Sequence, residues 1–378
     1  MKYVDEFRNP IIAKQLLVEI NTLADQIMQD RTTPIQIMEV CGGHTHSIFH
    51  HGLEQLLSRS IEFVHGPGCP VCVLPKGVID NCINIAQQAG VIFTTFGDAI
   101  RVPGSEKSLL QAKAQGADIR IVYSPMDALN IAKENPDSQV VFFALGFETT
   151  MPSTALTVLR AEKEQVKNFM LFCNHITIIP TLQMIVDEPD LTLDGFLGPG
   201  HVSLIIGSEP YKFIAQQYQK PLVVSGFELL DILQSIKMLL AQIYEGRTEV
   251  ENQYNRLVQA QGNQHALAAM AEVFETRESC EWRGLGEIAE SGVRMRSRFA
   301  SFDAEQRFAI SQNRLQLLEV GACSEVLIGK MKPTQCEAYG KGCTPERPLG
   351  ALMVSTEGAC HAYYTHGRIA AQNVFDEE

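Results

Sequence analysis

No stretch of this 378-residue sequence approaches the about 20 consecutive apolar residues needed to cross a bilayer. The opening residues, MKYVDEFRNPIIAKQ, lack both the basic start and the continuous apolar core of a secretory signal. A cytoplasmic protein without a membrane partner is therefore expected. Basic residues are in deficit too: 31 Lys and Arg stand against 44 Asp and Glu, a formal net charge of −13. Phosphate backbones are held by basic surfaces, so a nucleic-acid partner is not expected. What is left is a globular composition, 45% hydrophobic with a mean hydropathy near zero, over a length that suggests two or three domains.

Ten cysteines stand out against that background. Structural disulfides are rare in the cytosol, so these residues divide into metal ligands, redox thiols and small buried hydrophobes. Cys82 falls on the apolar stripe of a helical pattern with Val78, Ile79, Ile83 and Ala86, and Cys173 alternates with Phe169 and Leu171. Both are assigned to packing; Cys280 carries no such context.

Apolar residues at Ile12, Leu16, Leu17, Ile20, Leu23, Ala24 and Ile27 predict a helix within the first thirty residues, ended by Thr32-Thr33-Pro34. Short apolar runs then alternate with amphipathic stretches to about residue 230. The expected strands are 35–40, 61–64, 91–95, 119–123, 140–145, 169–173, 202–206 and 222–224. Most are apolar on both faces, the mark of parallel strands covered by helices, and this is the rhythm of open α/β folds. Gly66-Pro67-Gly68-Cys69 and Gly198-Pro199-Gly200-His201 echo one another. They suggest two similar α/β domains, 34–130 and 131–230. Residues 231–378 read as helical at first, over 229–244 and 252–274, then irregular and rich in glycine and cysteine. The N-terminal segment 1–33 is expected to pack on this third domain.

Within that tail, Cys323, Cys336, Cys343 and Cys360 lie in loops rich in glycine and proline. Thiolates suit iron–sulfur clusters and zinc. The short C-x₂₋₄-C knuckle of structural zinc sites is missing from the tail, and wide spacing favours a larger cluster, but spacing leaves both metals open. His361 and His366 read as surface or supporting residues. At the front, the run IQIMEV ends in Cys41-Gly42-Gly43-His44-Thr45-His46. Ligands of α/β folds gather at such strand ends, and Cys41, His44 and His46 offer a thiol and two imidazoles for a metal. His50 and His51 read as surface residues. Cys69 and Cys72 form a C-x-x-C that reads as a redox pair able to close a disulfide, with zinc binding as the alternative. Pro75 places the following helix after the motif, which limits its effect on those thiols.

CGGHTH at 41–46, GPGCPVC at 66–72, TTFGDAIRVPG at 94–104, GFETT at 146–150, GPGHVS at 198–203 and the cysteine-rich tail together resemble the HypD family of [NiFe]-hydrogenase maturation factors. The motifs run in order along nearly the whole chain. The resemblance implies a [4Fe–4S] cluster on Cys323, Cys336, Cys343 and Cys360. It implies two similar open parallel-sheet α/β domains around a cleft, plus a mainly helical or irregular iron–sulfur domain. The implied partners are a small chaperone, HypC, and a cyanide donor, HypE. With them the family assembles a transient Fe(CN)2CO unit for the hydrogenase large subunit. Cys41 would hold the iron with His44 near it, and Cys69 and Cys72 would pass electrons between cluster and cleft. Such a chain is a redox-active scaffold rather than a conventional turnover enzyme. A cluster-dependent thiol/disulfide oxidoreductase acting on a protein partner is the competing reading, although the CGGHTH motif is superfluous in a simple reductase. A zinc-bound interaction protein is the third class.

Overall fold

A computed structural model describes residues 5–189, 192–310 and 322–366. The first helix, Pro10–Ile27, begins where the sequence gives it a cap: the Asn9 side chain accepts from the Ile11 N–H at 2.9 Å, and Pro10 occupies the first turn. Its buried stripe is Ala13, Leu16, Leu17, Ile20 and Ala24. Burial of Leu16, Leu17 and Ile20, roughly 1.5–3 kcal/mol each, is what secures a helix that would be marginal alone. They pack on the helix Leu229–Glu245. That helix opens the C-terminal third, but it belongs to the first sheet's core and not to the cysteine-rich tail.

Two all-parallel sheets form the frame. One has the order β2-β1-β7-β8-β9, with β1 Ile35–Glu39, β2 Ile61–His65, β7 Gly195–Pro199, β8 Leu222–Ser225 and β9 Val250–Asn252. The other has the order β4-β3-β5-β6, with β3 Val91–Thr95, β4 Ile119–Ile121, β5 Gln139–Gly146 and β6 Phe169–His175. Side chains alternate between faces along each strand. Ile35, Ile37, Leu197 and Val223 join the helix pair outside the first sheet. Phe142, Phe169 and Leu171 enter a core outside the second. Met38, Phe196, Val224, Phe93, Phe143 and Phe172 turn inward to one core shared by both sheets. Cys69, Cys72, Cys343 and Cys360 are embedded in that shared core, so the C-x-x-C pair and part of the tail quartet belong to one core. Cys82 and Cys173 are fully packed, as their patterning suggests.

Both sheets reverse strand order in the same way. β1 leads outward to β2 while β7 and β8 lie on its other side, and β3 leads to β4 while β5 and β6 lie on its other side. Each reversal leaves a crevice at the strands' carboxyl ends, where open α/β folds take ligands.

The fold corrects three expectations. Residues 202–206 are not a strand: β7 is Gly195–Pro199, and the Gly200–Ile206 stretch is helical. A five-residue apolar run suits either element, and the Gly-Pro-Gly marks the end of a strand here, not its approach. The boundaries at 130 and 230 do not follow the sheets, because each sheet takes strands from both sides of residue 130 and β9 lies beyond 230. Parallel crossovers let a chain leave a sheet and return, so sequence order does not partition it. The segment 252–274 is helical only over Gln264–Val273, and two short antiparallel pairs follow, Phe274–Thr276 with Val293–Met295 and Ser279–Trp282 with Gly286–Ala289.

Candidate metal and thiol centres

Cys41 leaves β1 in an extended conformation and caps the helix Gly42–His50. A helix N-terminus ordinarily lowers a thiol pKa. Here burial, with the carboxylates of Glu357 and Glu39 adding to it, pushes the Cys41 thiol up to about 12. The thiol keeps its proton unless a cation takes the proton's place. His44, one turn on, is fully buried. Its Nε2 lies 3.2 and 3.1 Å from the carbonyl oxygens of Ser225 and Gly226, which can only accept, so Nε2 carries the hydrogen. Burial lowers the imidazole pKa, which keeps the ring neutral, and Nδ1 has a lone pair with no hydrogen-bond partner. The ring stacks on Phe227, which also stacks with His201 at 3.8 Å between centroids. These groups stand at the carboxyl ends of β1, β7 and β8, beside the first sheet's reversal. His46 does not join them. It is exposed, with its ring 5.8 Å from His50 and 5.9 Å from His366.

Beneath Cys41 lies a buried ion pair. The Glu39 carboxylate accepts from the Cys41 N–H at 3.0 Å, from the Thr45 hydroxyl and from His65 Nδ1 at 2.8 Å. Burial alone would lower the His65 pKa, but its bond to Glu39, helped by Glu54, raises it to about 9. Because the folded pKa lies above the ordinary value of about 6.5, the cationic ring stabilises the fold fully below that pH. The contribution is lost as pH rises through about 9. Thermal unfolding across this window should show a loss on the order of 3 kcal/mol. A Glu39→Gln, His65→Gln double variant should lack that slope.

The GPGC turn closes directly on Cys41. Gly66 N–H donates to the Glu39 carbonyl at 2.8 Å and Gly42 N–H to the Gly68 carbonyl at 3.2 Å. A methyl on Gly68 would stand 2.4 Å from the Cys41 nitrogen and 2.5 Å from its Cα, and backbone atoms cannot give way. Gly68→Ala should therefore cost about 3 kcal/mol. Gly77→Ala, with nothing within 4 Å of the new methyl, should be neutral or stabilise slightly. Denaturant unfolding of the two variants tests the pair. Beyond the turn, Cys69 and Cys72 are joined as a disulfide with Cα atoms 5.3 Å apart, and the next helix starts at Lys76, after Pro75.

The four tail cysteines line one small cavity with Ala338, Tyr339, Leu349, Leu352 and Met353. Gly350 admits the Cys323 sulfur, which a methyl there would meet at 2.3 Å. The Leu349 N–H points at Cys343 Sγ, 3.4 Å away. Burial, then the neighbouring sulfurs of Cys323, Cys343 and Cys336, push the Cys360 thiol well above its usual range. Among the described residues, no three His, Cys, Asp or Glu side chains converge as ligands of a single ion. Four soft donors around an apolar cavity, with a backbone N–H aimed at one sulfur, fit a multi-atom cluster.

The two regions touch. A methyl on Gly358 would lie 3.1 Å from Cys72 Sγ, and Cys360 is two residues further on. A methyl on Gly42 would meet Glu357 Cβ at 2.4 Å. The helix Ala359–His366, with Cys360 in its first turn, packs on the Cys41 helix through Tyr363 and Phe49, whose rings are 4.6 Å apart.

Several residues at these centres escaped the sequence reading. Glu39 and His65 are the last residues of their strands, and an ionisable residue on the apolar face at the close of IQIME or IEFVH is the signal that could have found them. Phe227 and Glu357 had none. At the second sheet's reversal, burial raises the Glu148 pKa to about 7; one oxygen accepts from Ile178 N–H at 3.1 Å and the other has no partner.

Fold and centres together describe a two-sheet α/β protein in which a thiol centre and a four-cysteine centre share a core. Comparison with known proteins gives the family. Residues 12–367 match the HypD family model, described as the Hydrogenase formation hypA family. The hydrogenase maturation factor HypD of Rhodobacter capsulatus is 57% identical over 371 residues, 97% of this chain and 98% of that protein. The Escherichia coli (strain K12) HypD is 53% identical over 366 residues, 97% of this chain and 98% of that protein. The Cupriavidus necator HypD is 46% identical over 375 residues, 97% and 98% of the two chains. The chain belongs to the HypD family of hydrogenase maturation factors.

Proposed function

We propose that this chain is the cytoplasmic, redox-active scaffold on which the Fe(CN)2CO unit of a [NiFe]-hydrogenase is assembled. A HypC-type chaperone and a HypE-type cyanide donor would be its partners, and the hydrogenase large subunit the recipient. Cys323, Cys336, Cys343 and Cys360 would hold a [4Fe–4S] cluster, which when bound exchanges single electrons. Cys41 would bind the incoming iron as a thiolate, the metal displacing a proton that burial otherwise retains. His44 stands beside it with Nδ1 open and its tautomer set by two carbonyls. Cys69 and Cys72 interconvert between disulfide and dithiol by taking up or releasing two electrons and two protons.

The observation that carries this reading is contiguity. The Cys41 turn rests on the GPGC turn, and Cys72 rests against the residue two before Cys360. The test is infrared and metal analysis of the protein purified without oxygen from cells expressing the maturation partners. Cyanide and carbon monoxide bands, with a HypC-type protein co-purifying, support assembly. Turnover of a dithiol substrate without those bands would establish a disulfide oxidoreductase instead.

A further inference from the structure

We infer that Glu39 is a positioning residue for Cys41, held in place by His65; this rests on the reading of Cys41 as the iron-binding thiol. Glu39 is the last residue of β1 and is wholly buried, and it faces three donors from two segments. Cys41 N–H and the Thr45 hydroxyl belong to the turn and helix that present the thiol. His65 closes β2 immediately before the turn that leads to Cys69. The Glu39 main chain adds a fourth tie, its carbonyl accepting from Gly66. One residue therefore fixes the Cys41 backbone against the segment that carries the disulfide.

The arrangement is poorly explained as a stability device. Burying two charges is costly, and apolar residues of similar volume commonly do as well or better. What a carboxylate supplies is acceptors on both oxygens. Oε1 serves Thr45 and His65, and Oε2 serves Cys41. An amide at this place presents one acceptor and one donor, so it cannot satisfy all three. The far side of His65 extends the network. Its Nε2 is 3.9 Å from Glu54, beyond hydrogen-bond length, and Glu54 accepts from Tyr363 on the Cys360 helix at 3.0 Å. The ring is flanked by Phe49 and Tyr363, which limit its movement.

The test is Glu39→Gln in the full chain, read in two ways. Amide hydrogen exchange of the segment 40–46 should accelerate at least tenfold while residues 79–86 of the helix Lys76–Ala86 exchange as in the wild type. In preparations whose wild type carries iron–cyanide bands, the variant should keep its iron–sulfur absorption but carry tenfold weaker or shifted bands. Unchanged exchange at 40–46 overturns the proposal, and so does equal acceleration of both segments, which would mean general loosening. A wild type without the bands refutes the assembly reading and leaves the exchange comparison to judge Glu39. Should Glu39→Gln not fold, Thr45→Val removes one of the three donors; a threefold local acceleration then supports the role and none overturns it.

Discussion

Cys360→Ala, purified without oxygen, is expected to hold less than a tenth of the wild-type iron and sulfide and to lack the broad visible absorption of an iron–sulfur protein. Cys360 is both a cavity-lining thiol and part of the first turn of the helix that packs on the Cys41 helix. Its replacement removes one of four soft donors from a cavity otherwise lined by apolar side chains. The mechanical effect is as large as the chemical one. Residues 322–366 hold no sheet and only short helices. Segments of that kind draw stability from a bound metal group, as zinc-finger peptides do from structural zinc, where the apparent binding free energy is about 10–16 kcal/mol. Trypsin should accordingly cut the variant after Lys330 or Lys341 at least tenfold faster than the wild type. A variant with full iron, full sulfide and unchanged proteolysis would remove Cys360 from the centre.

The second large effect is of the opposite kind, with chemistry lost and structure retained. Cys41→Ala should keep wild-type iron–sulfur absorption, yet show at least a hundredfold less of the infrared cyanide and carbon monoxide bands. Only one sulfur is removed, from a site that is 6% exposed, so the cost in stability should be about 1 kcal/mol. The turn keeps its backbone bonds, since the Cys41 amide and not its thiol binds Glu39. Full-strength bands in this variant would move the iron elsewhere. Together the two variants separate the centres: one loses the cluster and loosens the tail, the other keeps the cluster and loses its cargo.

The cysteine regions were legible in the sequence because soft ligands and glycines at strand ends have few purely structural uses. The parallel strands were legible through runs apolar on both faces, as at 140–145 and 169–173, which the two flanking cores now account for. Less visible was anything that depends on how the chain returns. β7 joins β1 across more than 150 residues, so no local pattern announces that the first sheet is completed only after the second has been passed. The short pairs between residues 274 and 295 alternate charged and apolar residues in runs of three or four, too brief to stand out. His46 illustrates another limit. It shares a motif with His44, but at two residues' spacing on a helix the two point to different faces, and only one is buried.

The interleaved topology also bears on synthesis. All four strands of the second sheet lie between residues 91 and 175, so that sheet can pair while the ribosome is still making the rest. The sheet that presents Cys41 was begun earlier, at residue 35, but its order cannot be completed until residue 252 has emerged. Cys360 emerges later still. The inner segment is thus the first unit able to fold, and the two reactive centres are complete only when nearly the whole chain is free. A nascent chain of this design completes its proposed metal-binding centres last.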